Sequence, residues 1–207
     1  MLLIKALFSL LFFAISSRAA PIDGRQTSCS ALQLIFLAGT NEDHGLGSVG
    51  GPLSAALTSA VSGTTTYSVP YDTSVEYGPT ITAGARMTVE YITAQAARCP
   101  SQRFALGGYS KGAMVLHSMS LSSALKAKVT AIVVFGDPYR GINNNWPISS
   151  PVVNSKPRSG FTNSQNVASF CNDGDIICRG GLSVPAHLTY GEDGSTGIAA
   201  AFIQNHL

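Results

Sequence analysis

Ser110 lies in Gly108-Tyr109-Ser110-Lys111-Gly112, which fits the pattern G-x-S-x-G. A serine hydroxyl is a weak nucleophile until a base takes its proton. Four histidines could serve as that base, namely His44, His117, His187 and His206. His117 follows Ser110 by seven residues on what reads as one helix, so it would stand about 10 Å along the axis, beyond hydrogen-bond reach. His206 is at the extreme C-terminus, where chains fray, and His44 falls in a loop after the first strand. His187, in a loop ahead of the last helix, is the best base. An acid must hold its tautomer. Between Ser110 and His187 only Asp137, Asp173 and Asp175 qualify, because that interval contains no Glu. Asp137 follows an apolar strand and fits the edge of a sheet. Asp175 lies between Cys171 and Cys178, where a covalent ring would fix its place, and Ser, Asp, His is a known chain order for such triads. Asp175 is therefore favoured over Asp137.

A developing oxyanion needs donors aimed at it. One is the backbone N–H after the nucleophile, at Lys111. The other should come from a loop after an early strand, here Ala38-Gly39-Thr40-Asn41, where Thr40 offers both an N–H and a hydroxyl. Read without this chemistry, Thr40 is an ordinary turn residue and Ser110 a structural serine in a glycine-rich turn.

The motif is specific only if a strand leads into it and a helix leaves it. Arg103 to Leu106 reads as a strand and Ala113 to Leu125 as a helix, so the setting is met. Gly108 and Gly112 leave the sharp turn free of side chains. Elsewhere Leu32 to Leu37, Thr64 to Val69, Val129 to Phe135 and Val167 to Phe170 read as strands, the third as the central one. Leu53 to Val61, Ala83 to Arg98 and a segment beginning at Ile198 read as helices. Tyr71 to Pro79 and the polar stretch Asn143 to Thr162 read as loops. Strands alternating with helices imply a mainly parallel sheet covered on both faces.

The 207 residues suit one domain, and with 45% hydrophobic and 12% charged residues the core is ample. The formal charge is +2. Residues 1–19 read as a signal peptide: Lys5 is followed by an apolar run from Ala6 to Ile15, and Ser17-Arg18-Ala19 has small residues at −3 and −1. The run is too short to span a membrane. Residues 20–28 read as a pro-segment or loose N-terminus. Without Lys5 and Arg18 the thirteen basic residues become eleven, matching the eleven acidic ones. That balance argues against a nucleic-acid partner and leaves neutral or polymeric surfaces open.

Four cysteines, Cys29, Cys99, Cys171 and Cys178, in a secreted chain favour two disulfides, with three pairings possible. A zinc site lacks its usual ligand spacing. Asn172-Asp173-Gly174-Asp175 opens like a calcium loop but lacks the downstream Glu. No metal and no cofactor is called for.

Gly-Tyr-Ser-Lys-Gly-Ala at 108–113, Cys-Asn-Asp-Gly-Asp-Ile-Ile-Cys at 171–178 and His-Leu-Thr-Tyr-Gly at 187–191, in this order and spacing, resemble the secreted fungal cutinases. Phe-Gly-Asp-Pro at 135–138 and Cys-Pro at 99–100 also fit. The resemblance runs from Cys29 to the C-terminus and extends to acetylxylan esterases. It implies a compact α/β-hydrolase, an αβα sandwich around a five-stranded mainly parallel sheet, with a catalytic domain over 29–207. It further implies Ser110 as nucleophile, Asp175 as acid, His187 as base, an oxyanion hole of Thr40 and Lys111, the pairs Cys29–Cys99 and Cys171–Cys178, and a structural Asp137. Leu182 and Val184 would line an acyl groove.

Two features depart from the pattern. Many cutinases have Gln where this chain has Lys111, whose ammonium would bear on substrate charge or on His187. Asn41-Glu42-Asp43-His44 places polar side chains beside Thr40. The expected protein is a secreted, monomeric serine esterase acting on cutin-like polyester or short-to-medium acyl esters. An acetylxylan esterase is the first alternative, favoured less because such enzymes usually carry more cysteines. An inactive secreted surface-binding or elicitor protein is the second.

Overall fold

The computed structural model describes residues 29–207. The expected signal peptide and the whole of the 20–28 segment lie outside the described residues. Six parallel strands form one sheet: β1 (Leu32–Leu37), β2 (Thr65–Ser68), β3 (Arg103–Tyr109), β4 (Val129–Phe135), β5 (Val153–Asn154) and β6 (Val167–Phe170). Their order is β2-β1-β3-β4-β6-β5. The helices are α1 (Gly47–Ala60), α2 (Tyr77–Arg98), α3 (Lys111–His117), α4 (Ser123–Lys126), α5 (Val184–Leu188) and α6 (Ser195–Gln204).

Strand periodicity divides the core in two. Ile35, Leu37, Leu106, Ile132 and Val134 face a layer that includes α2 and α3. Leu34, Phe36, Ala105, Val133 and Phe135 face α1 and α6. β4 is buried along its whole length, as a central parallel strand covered on both faces must be.

The sheet has six strands where five were expected. The sixth, β5, is a two-residue edge inside the stretch expected to be loop. It pairs Val153 with Val167 and Asn154 with Ala168. No hydrophobic run marks it. Side-chain amides hold it instead: Asn166 Oδ1 accepts the Val152 N–H at 2.8 Å, and Asn154 Nδ2 donates to the Gly160 carbonyl at 2.9 Å.

The single helix expected from Ala113 to Leu125 is two helices. Asn145 Nδ2 donates to the His117 carbonyl at 2.6 Å, closing α3, and Ser122 caps α4 by accepting the Leu125 N–H. α1, α2 and α6 each begin earlier than their apolar patterns suggest, and His187 sits in α5 rather than in a loop. Disulfides join Cys29 to Cys99 and Cys171 to Cys178. The first ties the start of the described chain to the end of α2. The second closes a loop just beyond β6.

Candidate active site

The site gathers at the carboxyl ends of the four central strands, where parallel α/β sheets expose their loops. β3 ends at Tyr109 and α3 starts at Lys111, so the reversal falls on Ser110 alone. Its φ is 51° and its ψ is −114°, a backbone state costly for a residue with a Cβ. The surroundings enforce it. The Ser110 N–H donates to the Phe135 carbonyl at 2.9 Å, and the Ser110 carbonyl accepts from Ala113 at 3.0 Å. A Cβ on Gly108 would stand 2.7 Å from the Gly112 carbonyl group, and one on Gly112 would collide with the Leu37 carbonyl. Gly108 is thus required by the close approach of the first turn of α3, and Gly112 by contact with the end of β1.

Ser110 Oγ lies 3.0 Å from His187 Nε2. His187 Nδ1 lies 2.9 Å from Asp175 Oδ2. Ser110 is half-buried, His187 is largely buried and Asp175 is fully so. Gly136, after β4, has φ +57°, and a Cβ there would stand 2.5 Å from His187 Cε1. Glycine is therefore needed both for the backbone and for the ring. Tyr109 Oη donates to the His187 carbonyl at 2.9 Å, which fixes the backbone that carries the imidazole.

Asp175 is anchored at several points. Its Oδ1 accepts the Ile177 N–H at 2.6 Å, and its Oδ2 also accepts from Tyr190 Oη at 2.6 Å. Burial pushes the carboxyl toward the neutral form, but the Tyr190 hydroxyl, His187 and the Ile177 amide outweigh it and hold the group below the usual carboxylate range. Tyr190 itself is buried and its phenol is pushed well above its usual value, first by burial and then by Asp175. Sequence reasoning missed Tyr190, although it lies in the 187–191 segment it used.

Thr40 lies on the loop after β1, whose Gly39 packs against the Tyr109 ring, and Lys111 takes the first position of α3 directly after Ser110. A helix leaves its first amides without intrahelical acceptors, so the Lys111 N–H is available to a substrate oxygen. Thr40 Oγ1 lies 3.1 Å from Tyr77 Oη. Glu42, noted only as an unusual polar neighbour, organises this loop. Its carboxylate accepts the N–H of Gly39 at 2.6 Å and both the N–H and hydroxyl of Ser48, at 2.7 and 2.6 Å. The Lys111 ammonium, expected to bear on substrate charge or on His187, does not face solvent. The side chain is fully buried, and its Nζ points to the carbonyls of Asp72 and Ser74.

The remaining sequence candidates are elsewhere. His44 is exposed. His206 contacts the Phe202 and Gln165 carbonyls. His117 is buried against Asp137, with Nε2 to Oδ2 at 3.0 Å. Asp173 is exposed and pairs with Arg179. The cysteines that zinc would require are in disulfides, and Asp175 of the calcium-like segment is turned to His187. Leu182 and Val184 stand on the segment leading to His187, with 96% and 53% of their surface exposed.

The family model described as cutinase matches residues 28–207. The chain belongs to the cutinase family. It is accordingly a carboxylic ester hydrolase. Carboxylesterase Culp1 of Mycobacterium tuberculosis is 34% identical over 197 residues, covering 91% of this chain and 88% of that protein. A cutinase of Monilinia fructicola is 34% identical over 214 residues, covering 97% and 95%. Among solved structures, Trichoderma reesei cutinase in complex with a phosphonate inhibitor superposes with a TM-score of 0.69 at 30% identity, over 84% of this chain and 75% of that one. An acetylxylan esterase shares the fold, with a TM-score of 0.71 at 21% identity over 86% and 99%. Among the described residues no helix is long and apolar enough to cross a membrane.

Proposed function

We propose that this cutinase-family protein is a secreted serine esterase in which Ser110 attacks the ester carbonyl. The observation that carries the reading is the chain of contacts from Ser110 Oγ to His187 Nε2 at 3.0 Å and from His187 Nδ1 to Asp175 Oδ2 at 2.9 Å. His187 takes the serine proton as Oγ bonds to the carbonyl carbon. The Thr40 and Lys111 donors receive the oxyanion. The imidazolium, stabilised by Asp175, gives its proton to the leaving alkoxide. Water then repeats the sequence on the acyl-enzyme, freeing the acid and restoring Ser110.

The substrate reading rests on the rim. Exposed apolar side chains occur on two segments beside the site: Val75 and Tyr77 after the 72–74 turn, and Leu182, Val184 and Leu188 around His187. Clustered apolar surface of this kind suits an apolar partner. It supports a medium-length acyl chain or a cutin-like polyester over an acetylated sugar. Two disulfides support an oxidising, extracellular setting.

Hydrolysis of p-nitrophenyl esters from acetyl to palmitoyl, with Ser110→Ala as control, tests the proposal. The expected result is a maximum at butyrate or longer that vanishes in the control. Turnover of acetate alone would favour a carbohydrate deacetylase. Absence of Ser110-dependent turnover, together with no labelling by a phosphonate probe, would leave a binding protein on a hydrolase scaffold.

A further inference from the structure

Lys111 is a lysine with none of its side chain exposed. Its Nζ lies 3.0 Å from the Asp72 carbonyl and also donates to the Ser74 carbonyl. It sits 5.6 Å from the ring centre of Tyr71 and 5.4 Å from that of Tyr77, within the range of cation–π attraction. The carbonyl between the two it holds, that of Thr73, faces the other way and accepts the Asn41 N–H at 2.8 Å. Thr73 Oγ1 donates to the Glu42 carbonyl at 2.7 Å. The 72–74 turn is therefore gripped on one side by Lys111 and on the other grips the loop that carries Thr40. Asn41 has a left-handed φ of 58°, a state asparagine adopts more readily than most residues, and its N–H is tied to Thr73.

We propose that the Lys111 side chain is a positioning residue for the oxyanion hole, setting the place of Thr40 through the 72–74 turn. This rests on the reading of Ser110, Thr40 and the Lys111 amide given above. One residue then serves the hole twice. Its backbone N–H is one donor, and its ammonium fixes the distance to the other. A neutral side chain would bond the carbonyls more weakly, since charge-assisted hydrogen bonds are roughly twice as strong as neutral ones. Asp72 and Glu76 favour the charged form, and the phenols of Tyr71 and Tyr77 flank it. Burial is the larger influence and pushes the ammonium below the usual lysine range.

The test compares kcat and KM for Lys111→Met, Lys111→Gln, Thr40→Ala and the Lys111→Met/Thr40→Ala pair. Lys111→Met should lower kcat about 10- to 100-fold and leave KM within about twofold. Lys111→Gln, which keeps one donor, should recover part of the loss. The cost of Lys111→Met should shrink in the Thr40→Ala background, because the two act on one element. In the unaltered enzyme kcat should fall on the alkaline side before the ordinary lysine value of 10.5, and this limb should be missing from Lys111→Met. A folded Lys111→Met with wild-type kcat would overturn the inference. If Lys111→Met does not fold, Lys111→Gln carries the same comparisons, and a folded Lys111→Gln with wild-type kcat overturns it. Turnover surviving in Ser110→Ala would instead remove the reading of the site itself.

Discussion

Among the described residues two histidine–aspartate pairs have nearly equal length, and one of the two has a ring nitrogen to offer. In His187–Asp175 the contact is 2.9 Å and uses Nδ1, which leaves Nε2 facing Ser110 Oγ at 3.0 Å. In His117–Asp137 the contact is 3.0 Å and uses Nε2, while Nδ1 faces the Asn145 carbonyl at 3.0 Å. A carbonyl only accepts, so Nδ1 of His117 must carry a proton. Both of its nitrogens are occupied whichever member of the pair holds the other proton. Trp146 lies across the ring at 3.9 Å between centres, and no surface of the imidazole is exposed. The same two residue types thus make a base in one place and a tie between α3 and the 137–146 segment in the other. The difference lies in what the second nitrogen meets.

That contrast can be broken most severely at the first pair. Asp175→Asn should lower kcat about 10⁴-fold with the fold intact, because the amide favours the wrong imidazole tautomer. Steady-state kinetics on a p-nitrophenyl ester would show it, and unchanged turnover would dissolve the distinction. At the second pair His117→Phe should leave kcat within a fewfold but leave Asp137 buried without its partner. The expected cost is about 3–5 kcal/mol, read as a melting temperature lower by roughly 10 °C. A variant that loses turnover instead, with its melting point unchanged, would reverse the roles assigned here. The smallest effect should come from Tyr190→Phe. Asp175 titrates below its ordinary value when folded, so its contribution to stability is complete above that ordinary value and fades as pH falls through the lowered one. Removing the phenol lets the folded value rise. The acid unfolding midpoint should move to higher pH, with about 1 kcal/mol lost near neutrality.

Much of the site was legible because its signals are local. The turn at Ser110 is written in two glycines and a preceding strand, and Asp175 is bracketed by two cysteines within eight residues. β4 was legible because burial on both faces demands an unbroken apolar run. What escaped depends on contacts between distant segments. β5 is held by asparagine side chains rather than by its own pattern. The break after α3 is imposed by Asn145, which lies 28 residues further on. Glu42 and Lys111 read as surface residues by type. Their roles exist only because the loop after β1, the 72–74 turn and α3 meet in space.

The buried ammonium of Lys111 also sets stability and turnover against each other along the pH axis. Between its lowered value in the fold and its ordinary value of 10.5, the unfolded chain binds a proton that the folded chain has released. Over that window this residue makes the fold steadier as pH rises. The same rise strips the charge that the oxyanion loop uses. Within that window a thermal-melting screen gains from this residue as pH rises while an assay of turnover loses, so the two rank conditions in a different order.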